Sequence, residues 1–410
     1  MANVILNKTK IFNDPIYGFI SVPHELILDI IDHPYFQRLR RIKQLGLSHL
    51  VYPGALHTRY QHVIGCANLM QQAIGTLQSK GHEITEKEGQ GVILAILLHD
   101  IGHGPYSHAL EHSLATEVHH EELSLIFMEK LNEVFNGQLD TAIKIFKNEY
   151  PKKFLHQLVS SQLDMDRLDY LKRDSFYTGV SEGVVSNQRI IKMLDVVNDQ
   201  LVIQEKGIYS IEKFIVARRL MYWQVYLHKT VVSAEYLLVN TLKRAKYLAS
   251  QGEELFCSPS FRLFLYNDIT KQDFEKQEVI NAFSQLDDYD IMGAIKVWGN
   301  HSDKVLALLS DMIVNRKLLK IEMQNEAFTE QEVEAHRNRI VTKFGVSYKE
   351  TEYFVIASNI VNNAYSSDSD KINILFKSGK VLDITEASDN LNIQALTKSV
   401  KKHFLCYPRV

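Results

Sequence analysis

The stretch that most constrains this chain is residues 91–111, Gly-Val-Ile-Leu-Ala-Ile-Leu-Leu-His99-Asp100-Ile-Gly-His103-Gly-Pro-Tyr-Ser-His108-Ala-Leu-Glu111. Its apolar run is too short to span a membrane and ends on an imidazole and a carboxylate, followed by glycines and a proline that break a helix. A buried helix delivering polar groups into an interior cleft accounts for that pattern. Neighbouring helical residues point about 100° apart, so His99 and Asp100 can approach one ion from roughly perpendicular directions, as six-coordinate N/O geometry requires. The dipeptide alone fits a helix cap or a surface pair equally. Density favours a metal: His103, His108 and Glu111 follow at once, and His108 and Glu111 have the i, i+3 spacing that lets a carboxylate orient an imidazole.

With 410 residues, 45% of them hydrophobic and 23% charged, the chain can bury a large core and hold one big domain plus a smaller one. A net charge of −3 argues against a dedicated nucleic-acid partner, so any polyanion binding would be local. Cys66, Cys257 and Cys406 are too few and too scattered for a disulfide framework or a cysteine metal site, which fits a reducing cytoplasm. The N-terminus lacks a charged start followed by a long apolar region, and no run reaches about 18 apolar residues. Neither export nor membrane insertion is expected.

Read in order, Asn13-Asp-Pro and Gly18 signal turns. Residues 24–31 and 35–45 read as short helices separated by Pro34. In the second, Arg38, Arg40, Arg41 and Lys43 alternate with Phe36, Leu39, Ile42 and Leu45, giving either a solvated face opposite a core face or an anion-binding face. Residues 60–80 have helical apolar spacing, with His62 just inside the start, either a packed histidine or a ligand. Residues 121–135 continue as an amphipathic helix after His119 and His120. Within 154–180, spacing of four places Asp166, Tyr170 and Asp174 on one helical face, which is a charged surface or the wall of a cleft.

Residues 199–210 read as a small hairpin, with Leu201-Val-Ile203 and Gly207-Ile-Tyr as its arms. A long helical region, 211–248, breaks near His228. In it Arg218, Tyr222, Tyr226 and Lys229 recur at i, i+4, i+8 and i+11 among Met221, Trp223, Val225 and Leu227, a basic and phenolic stripe better suited to a cleft than to solvent. Helices continue to about 319. From about 321 the character changes: 328–344 is an amphipathic helix, 353–360 and 371–384 alternate like strands around Ser378-Gly379, and 391–404 closes as a helix. The fold expected is mainly α, a helical core over 1–320 with an appended α+β lobe over 321–410.

His62, His99-Asp100 and Asp166, with Gly102-His-Gly-Pro-Tyr-Ser-His108, resemble the HD-domain metal phosphohydrolases. The signatures Phe12-Asn-Asp-Pro-Ile-Tyr-Gly18, Phe36-Gln-Arg-Leu-Arg-Arg-Ile-Lys-Gln-Leu-Gly46, Tyr52-Pro-Gly-Ala-Leu-His-Thr-Arg-Tyr-Gln-His62 and Asp164-Met-Asp-Arg-Leu-Asp-Tyr170 are similar to deoxynucleoside triphosphate triphosphohydrolases of the dGTPase-like type and to the catalytic core of the sterile-alpha-motif/HD-domain enzymes. The match is strong over roughly residues 10–230.

The resemblance implies one divalent metal, with Fe, Mn, Mg, Zn, Ni and Co not distinguished, held by His62, His99, Asp100 and Asp166. It implies attack of water on the α-phosphorus and departure of intact triphosphate, with His108, backed by Glu111 and near His103 and His120, as the proton source for the leaving oxygen. Arg59, Arg167, Arg218 and Lys229 match triphosphate contacts, and Gln44, Tyr170 and Asp174 match groups around the sugar 3′-hydroxyl. Tyr226 and Leu45 match residues packed on the sugar C2′. Lys10, Asp32, Gln37 and Arg40 match positions that bind an activating guanine nucleotide between subunits in some relatives, so a dNTP substrate, a GTP or dNTP effector and a homo-oligomer, dimer or tetramer, are implied. Two departures are Gln61, where the family often has Glu, and Glu111, where Asp is common. The same scaffold also serves nucleotide phosphodiesterases and monophosphatases, and a non-catalytic nucleotide sensor is the alternative outside enzymology.

Overall fold

A helix that is apolar on every side has to be surrounded by other elements, and the chain is wrapped on one such helix. The computed structural model describes residues 10–22, 24–106, 118–366 and 371–409. Six helices carry the site: α1 (Arg59–Ser79), α2 (Glu86–Leu98), α3 (His120–Val134), α4 (Met165–Thr178), α5 (Ile208–Met221) and α6 (Lys229–Ser250). In α2, every side chain from Val92 to Leu98 is at most 4% exposed. It starts in a reciprocal capping box between Thr85 and Glu88, and α1 starts in another between Thr58 and Gln61. Val63, Ile64, Leu69 and Met70 of α1 belong to the same core.

At the N-terminal side, strands β1 (Lys10–Asp14) and β2 (Gly18–Val22) pair antiparallel around the Pro15-Ile-Tyr turn. A helix follows at Glu25–Asp32. The helix expected over 35–45 is shorter: Pro34 opens a single turn, Pro34–Gln37, which tightens into 3-10 geometry over Arg38–Arg41 before Ile42 becomes extended. Gln61, the departure noted in the sequence, takes the capping role at the third position of α1 and donates to the Tyr177 hydroxyl at 2.9 Å.

The hairpin expected over 199–210 is present but displaced. Its strands are β3 (Leu194–Val197) and β4 (Gln200–Gln204), joined through Asn198 and Asp199, both at positive φ, while Gly207 already belongs to a 3-10 turn that leads into α5. An Asn-Asp turn accommodates that backbone as well as glycine does, so the turn lies two residues before the apolar triplet. Between α5 and α6 the chain forms a π-helical turn, Tyr222–Tyr226, and breaks at Leu227 and His228.

Beyond α6, the helices Pro259–Tyr266, Gln277–Gln285, Asp288–Trp298 and Lys304–Val314 complete the core. The C-terminal α+β lobe contains β5 (Lys320–Gln324), the helix Glu330–Phe344 and β6 (Ile356–Asn362). Then come β7 (Asn373–Leu375), β8 (Val381–Asp383) and β9 (Val400–Tyr407). The helix expected over 391–404 is corrected: only Leu391–Ala395 is helical, and β9 is the central strand of the order β5-β9-β6. Pairing on both edges satisfies its backbone groups, which outweighs a weak helical pattern. The β7–β8 hairpin turns at Ser378-Gly379 as expected, but β7 adds in parallel to β4, making a sheet β3-β4-β7-β8 that spans core and lobe. Among the described residues no helix is long and apolar enough to cross a membrane.

Candidate metal centre and substrate cleft

Three helices converge on one point. His62 lies one turn into α1, His99 and Asp100 follow the last residue of α2, and Asp166 is in the first turn of α4. His62 Nε2 is 3.0 Å from Asp166 Oδ1 and 3.8 Å from Asp100 Oδ2, while His99 Nε2 is 3.5 Å from the same Asp166 oxygen and 3.4 Å from Asp100 Oδ1. Donor atoms of His62, His99 and Asp166 all fall within 4.8 Å of one another.

The histidine tautomers suit a cation. His99 Nδ1 is 2.6 Å from the Ile96 carbonyl, which can only accept, so the proton is on Nδ1 and Nε2 offers a lone pair. That Nε2 is buried with no hydrogen-bond partner among the described residues. His62 Nδ1 is 2.8 Å from Asp169 Oδ2, which leaves its Nε2 for the same point. Two imidazoles and a carboxylate are a donor set that divalent ions accept. Asp100 stands at the rim, taking Arg59 Nη1 at 2.5 Å on one oxygen, with His103 Nε2 3.2 Å from the other. A second trio, His62, Cys66 and Asp169, is equally close. It makes no ligand set, because burial keeps the Cys66 thiol protonated and Asp169 is already engaged by Arg173.

Electrostatics say the same. Burial opposes a charge on His62, yet Cys66, Asp166 and Asp169 together hold its pKa well above the usual value. Asp100 and Asp166 do the same for His99, again against burial. The histidines in turn hold Asp166 low, and His99 with Arg59 holds Asp100 low. The point is built for positive charge.

The loop after Asp100 is clamped from two sides. A Cβ on Gly102 would meet the His120 carbonyl oxygen at 2.2 Å and the Ser124 nitrogen at 2.3 Å, so only glycine lets the loop lie this close to α3. Arg38, fully buried, donates through Nη1 to the carbonyls of Ile101 (3.0 Å) and His103 (2.9 Å). Burial lowers its pKa to about 9, so it stays charged at neutral pH. His103 stacks on His120, with centroids 3.9 Å apart. Burial and the Arg59 charge push His103 down to about 3, so this imidazole is neutral at pH 7. His108 and Glu111 lie outside the described residues.

Beside the cluster opens a cleft of about 320 Å³ lined by Gln44, Leu45, Arg59, Tyr170, Asp174 and Tyr226, with Lys43, Tyr106, Tyr222, Leu227 and Glu235 completing the wall. Asp174 is fixed by His57 Nε2 at 2.7 Å and by the Tyr226 hydroxyl, which donates at 2.8 Å. Burial and the Asp174 charge keep the Tyr226 phenol protonated. Arg167 and Arg218 both lie near Tyr170 and act on its ionisation, and each has a buried Nε with no hydrogen-bond partner among the described residues.

Lys229 does not join this group. It lines a second cleft of about 730 Å³ with Arg316, Lys317, Lys320, Lys343 and Arg409. The stripe expected from 3.6-residue spacing ends where the π-helical turn and the break at Leu227 shift the phase. In the other surface set, Lys10 Nζ bonds Asp32 at 2.8 Å, Arg40 Nε bonds Gln37 at 2.9 Å, and the Arg40 guanidinium lies 3.6 Å from the Tyr60 ring centroid.

His57, Asp169, Arg173 and Asp14 escaped the sequence reading. His57, Asp14 and Asp169 do lie within the quoted motifs, and Asp169 and Arg173 stand four apart on α4, which reads as a solvated ion pair.

Residues 59–174 match the HD domain and residues 185–254 the HD associated region. The chain is 30% identical to the uncharacterized protein YwfO of Bacillus subtilis, over 98% of this chain and 93% of that one. It is 33% identical to the deoxynucleoside triphosphate triphosphohydrolase SAMHD1 homolog of Dictyostelium discoideum, over 60% of this chain and 52% of that one. A crystal structure of a phosphohydrolase from Bacteroides thetaiotaomicron superposes with a TM-score of 0.95 at 56% identity, covering 98% of this chain and all of that one. The chain belongs to the HD-domain phosphohydrolase family, and within it is similar to the dNTP triphosphohydrolases.

Because neighbouring carboxylates hold protons on His62 and His99 above the ordinary 6.5, a divalent ion has to displace them. Mn²⁺ affinity is therefore expected to weaken as pH falls through these raised pKa values, with proton release on binding, measured by calorimetry in buffers of different ionisation enthalpy. An affinity independent of pH, with no proton released, would contradict this.

Proposed function

We propose that the protein is a metal-dependent dNTP triphosphohydrolase, releasing a deoxynucleoside and inorganic triphosphate. The observation that carries the reading is the position of Arg59, which bonds Asp100 at the metal cluster and also lines the cleft. A phosphate chain lying along that guanidinium has its first phosphorus at the cluster and its nucleoside in the cleft. An ion held by His62, His99, Asp166 and the flanking Asp100 supplies Lewis-acid polarisation and a lowered water pKa.

The chain's own residues do the rest. Arg59, Arg167 and Arg218 bind the anionic tail with forked donors. Asp174, Gln44 and Tyr170 orient the sugar 3′-hydroxyl. As the water oxygen bonds to the α-phosphorus and the bond to O5′ breaks, O5′ takes a proton. His108, with Glu111 as its carboxylate partner, is the donor in this proposal, and the proton that the attacking water gives up restores it, so that the net transfer is one proton from water to O5′. His103 enters neutral and serves as a hydrogen-bonding group to Asp100, stacked on His120.

Three outcomes are expected. Anion-exchange analysis of each dNTP reaction in ¹⁸O water should find labelled triphosphate as the only phosphate product. Label in orthophosphate or a monophosphate product would favour the phosphatase or phosphodiesterase reading, and no turnover of any dNTP with Mn²⁺ and GTP present would favour a sensor.

The second concerns the sugar. The Tyr226 ring and Leu45 form an apolar wall, and such a wall rejects an added hydroxyl by only about 10²-fold. Tyr226→Ala should lower the ratio of kcat/KM for dGTP over GTP toward unity and also slow dGTP turnover; an unchanged ratio removes Tyr226 from the sugar wall.

The third concerns the Lys10, Asp32, Gln37 and Arg40 patch, proposed to take a guanine nucleotide between subunits. GTP should raise the mass seen by light scattering in the wild type and fail to do so in Arg40→Ala. Equal mass with and without nucleotide, alongside nucleotide-independent activity, rejects the effector site.

A further inference from the structure

One buried chain of charges remains unused by the mechanism. His62 Nδ1 meets Asp169 Oδ2 at 2.8 Å. Asp169 accepts from Arg173 in a fork, Nε to Oδ2 at 2.8 Å and Nη2 to Oδ1 at 3.1 Å. Arg173 then donates through Nη1 to Asp14 Oδ2 at 2.8 Å. The other Asp14 oxygen accepts the backbone N–H groups of Ile16 (2.9 Å) and Tyr17 (3.0 Å), the turn between β1 and β2. His62, Asp169 and Arg173 are completely buried and Asp14 is 8% exposed.

Burying this many charges is costly unless each is matched in good geometry. A surface patch would not need it. The packing shows how closely the chain is held: a Cβ on Gly65 of α1 would lie 2.1 Å from Asp169 Oδ1 and 2.3 Å from Arg173 Nη2, so the pair fits against α1 only because residue 65 is glycine. The Tyr17 ring covers the Arg173 guanidinium at 5.7 Å. The Phe12-Asn-Asp-Pro-Ile-Tyr-Gly18 motif is thus linked to His62 of the metal cluster through two intervening side chains, Arg173 and Asp169.

We propose that Asp14, Arg173 and Asp169 form a positioning relay that keeps the proton of His62 on Nδ1 and its Nε2 aimed at the metal point, so that the N-terminal turn sets the metal affinity of the site. The proposal rests on the metal-centre reading above. Its logic is that of a carboxylate behind a ligating imidazole: a fixed acceptor selects the tautomer and ring angle and raises ligand basicity, and losing it weakens binding by about 10- to 100-fold. Here the acceptor is itself oriented by a forked guanidinium, whose own direction is set by Asp14. None of the three contacts substrate or metal.

The test is Mn²⁺ calorimetry on metal-stripped protein, with thermal unfolding in parallel. Asp169→Asn should weaken Mn²⁺ binding by about 10- to 100-fold, and Asp14→Asn should weaken it in the same direction but less. Asparagine at 14 still accepts the turn N–H groups, so that variant keeps the hairpin and carries the test even where Asp169→Asn does not fold. Leu69→Ala, a core truncation on the same helix, should lower the melting temperature and leave Mn²⁺ affinity in place. Wild-type affinity in folded Asp169→Asn and Asp14→Asn, or an equal loss in Leu69→Ala, would overturn the relay alone. A wild type that binds no divalent ion would overturn the metal-centre reading itself.

Discussion

Everything at the centre of this protein depends on how a surplus of negative charge is kept out of water. Asp14, Asp100, Asp166, Asp169 and Asp174 crowd one region, against the guanidinium groups of Arg59 and Arg173. Carboxylates without partners would protonate or pull the fold open. Instead the carboxylates raise the pKa of the histidines among them, His62 and His99, and are themselves held low by those histidines. The remaining deficit is what a cation fills, so the metal centre and the stability of the core are the same electrostatic problem.

Helix α4 solves that problem by using two ladders at once. Asp166, Tyr170 and Asp174 repeat every four residues along the cleft, and Asp169 with Arg173 repeats along α1. The first ladder was legible in the sequence as a candidate wall. The second was not, since an aspartate and an arginine four apart describe a solvated pair just as well, and only the neighbour decides. That neighbour is Gly65, whose missing side chain makes room for both groups. A glycine in the middle of a helix costs about 1 kcal/mol relative to alanine, and here the close approach it permits offsets that cost.

Legibility followed the physics of each segment. The apolar run ending in His99-Asp100 was readable because nothing but a buried helix satisfies it, and the structure buries it completely. The α+β lobe was readable from its change in periodicity. Its last strand was not, because β9 owes its conformation to β5 and β6 on either side, partners distant in sequence. The bond of His57 to Asp174 is visible only once α4 lies beside the loop before α1. Lys229 lines a different cleft from Tyr226 for a local reason, a change of helical pitch that spacing rules assume away.

That change of pitch has its own supports. Over Tyr222–Tyr226 the Leu227 N–H reaches the Tyr222 carbonyl at 2.6 Å, the five-residue bond of a π-turn, a geometry that is rare and concentrated at functional sites. It is held from three directions: the Tyr52 hydroxyl donates to the Gln224 carbonyl, Gln224 donates to Glu182 at 3.1 Å, and Lys402 of β9 lies over the Trp223 ring at 4.3 Å. Each contact comes from a different part of the chain. Their joint effect is to bring the Tyr222 and Tyr226 rings, 5.1 Å apart and nearly perpendicular, onto one wall of the cleft. The strand that the sequence pattern concealed is therefore one of the braces for the phenols that line the cleft, and the C-terminal lobe reaches that wall through Trp223.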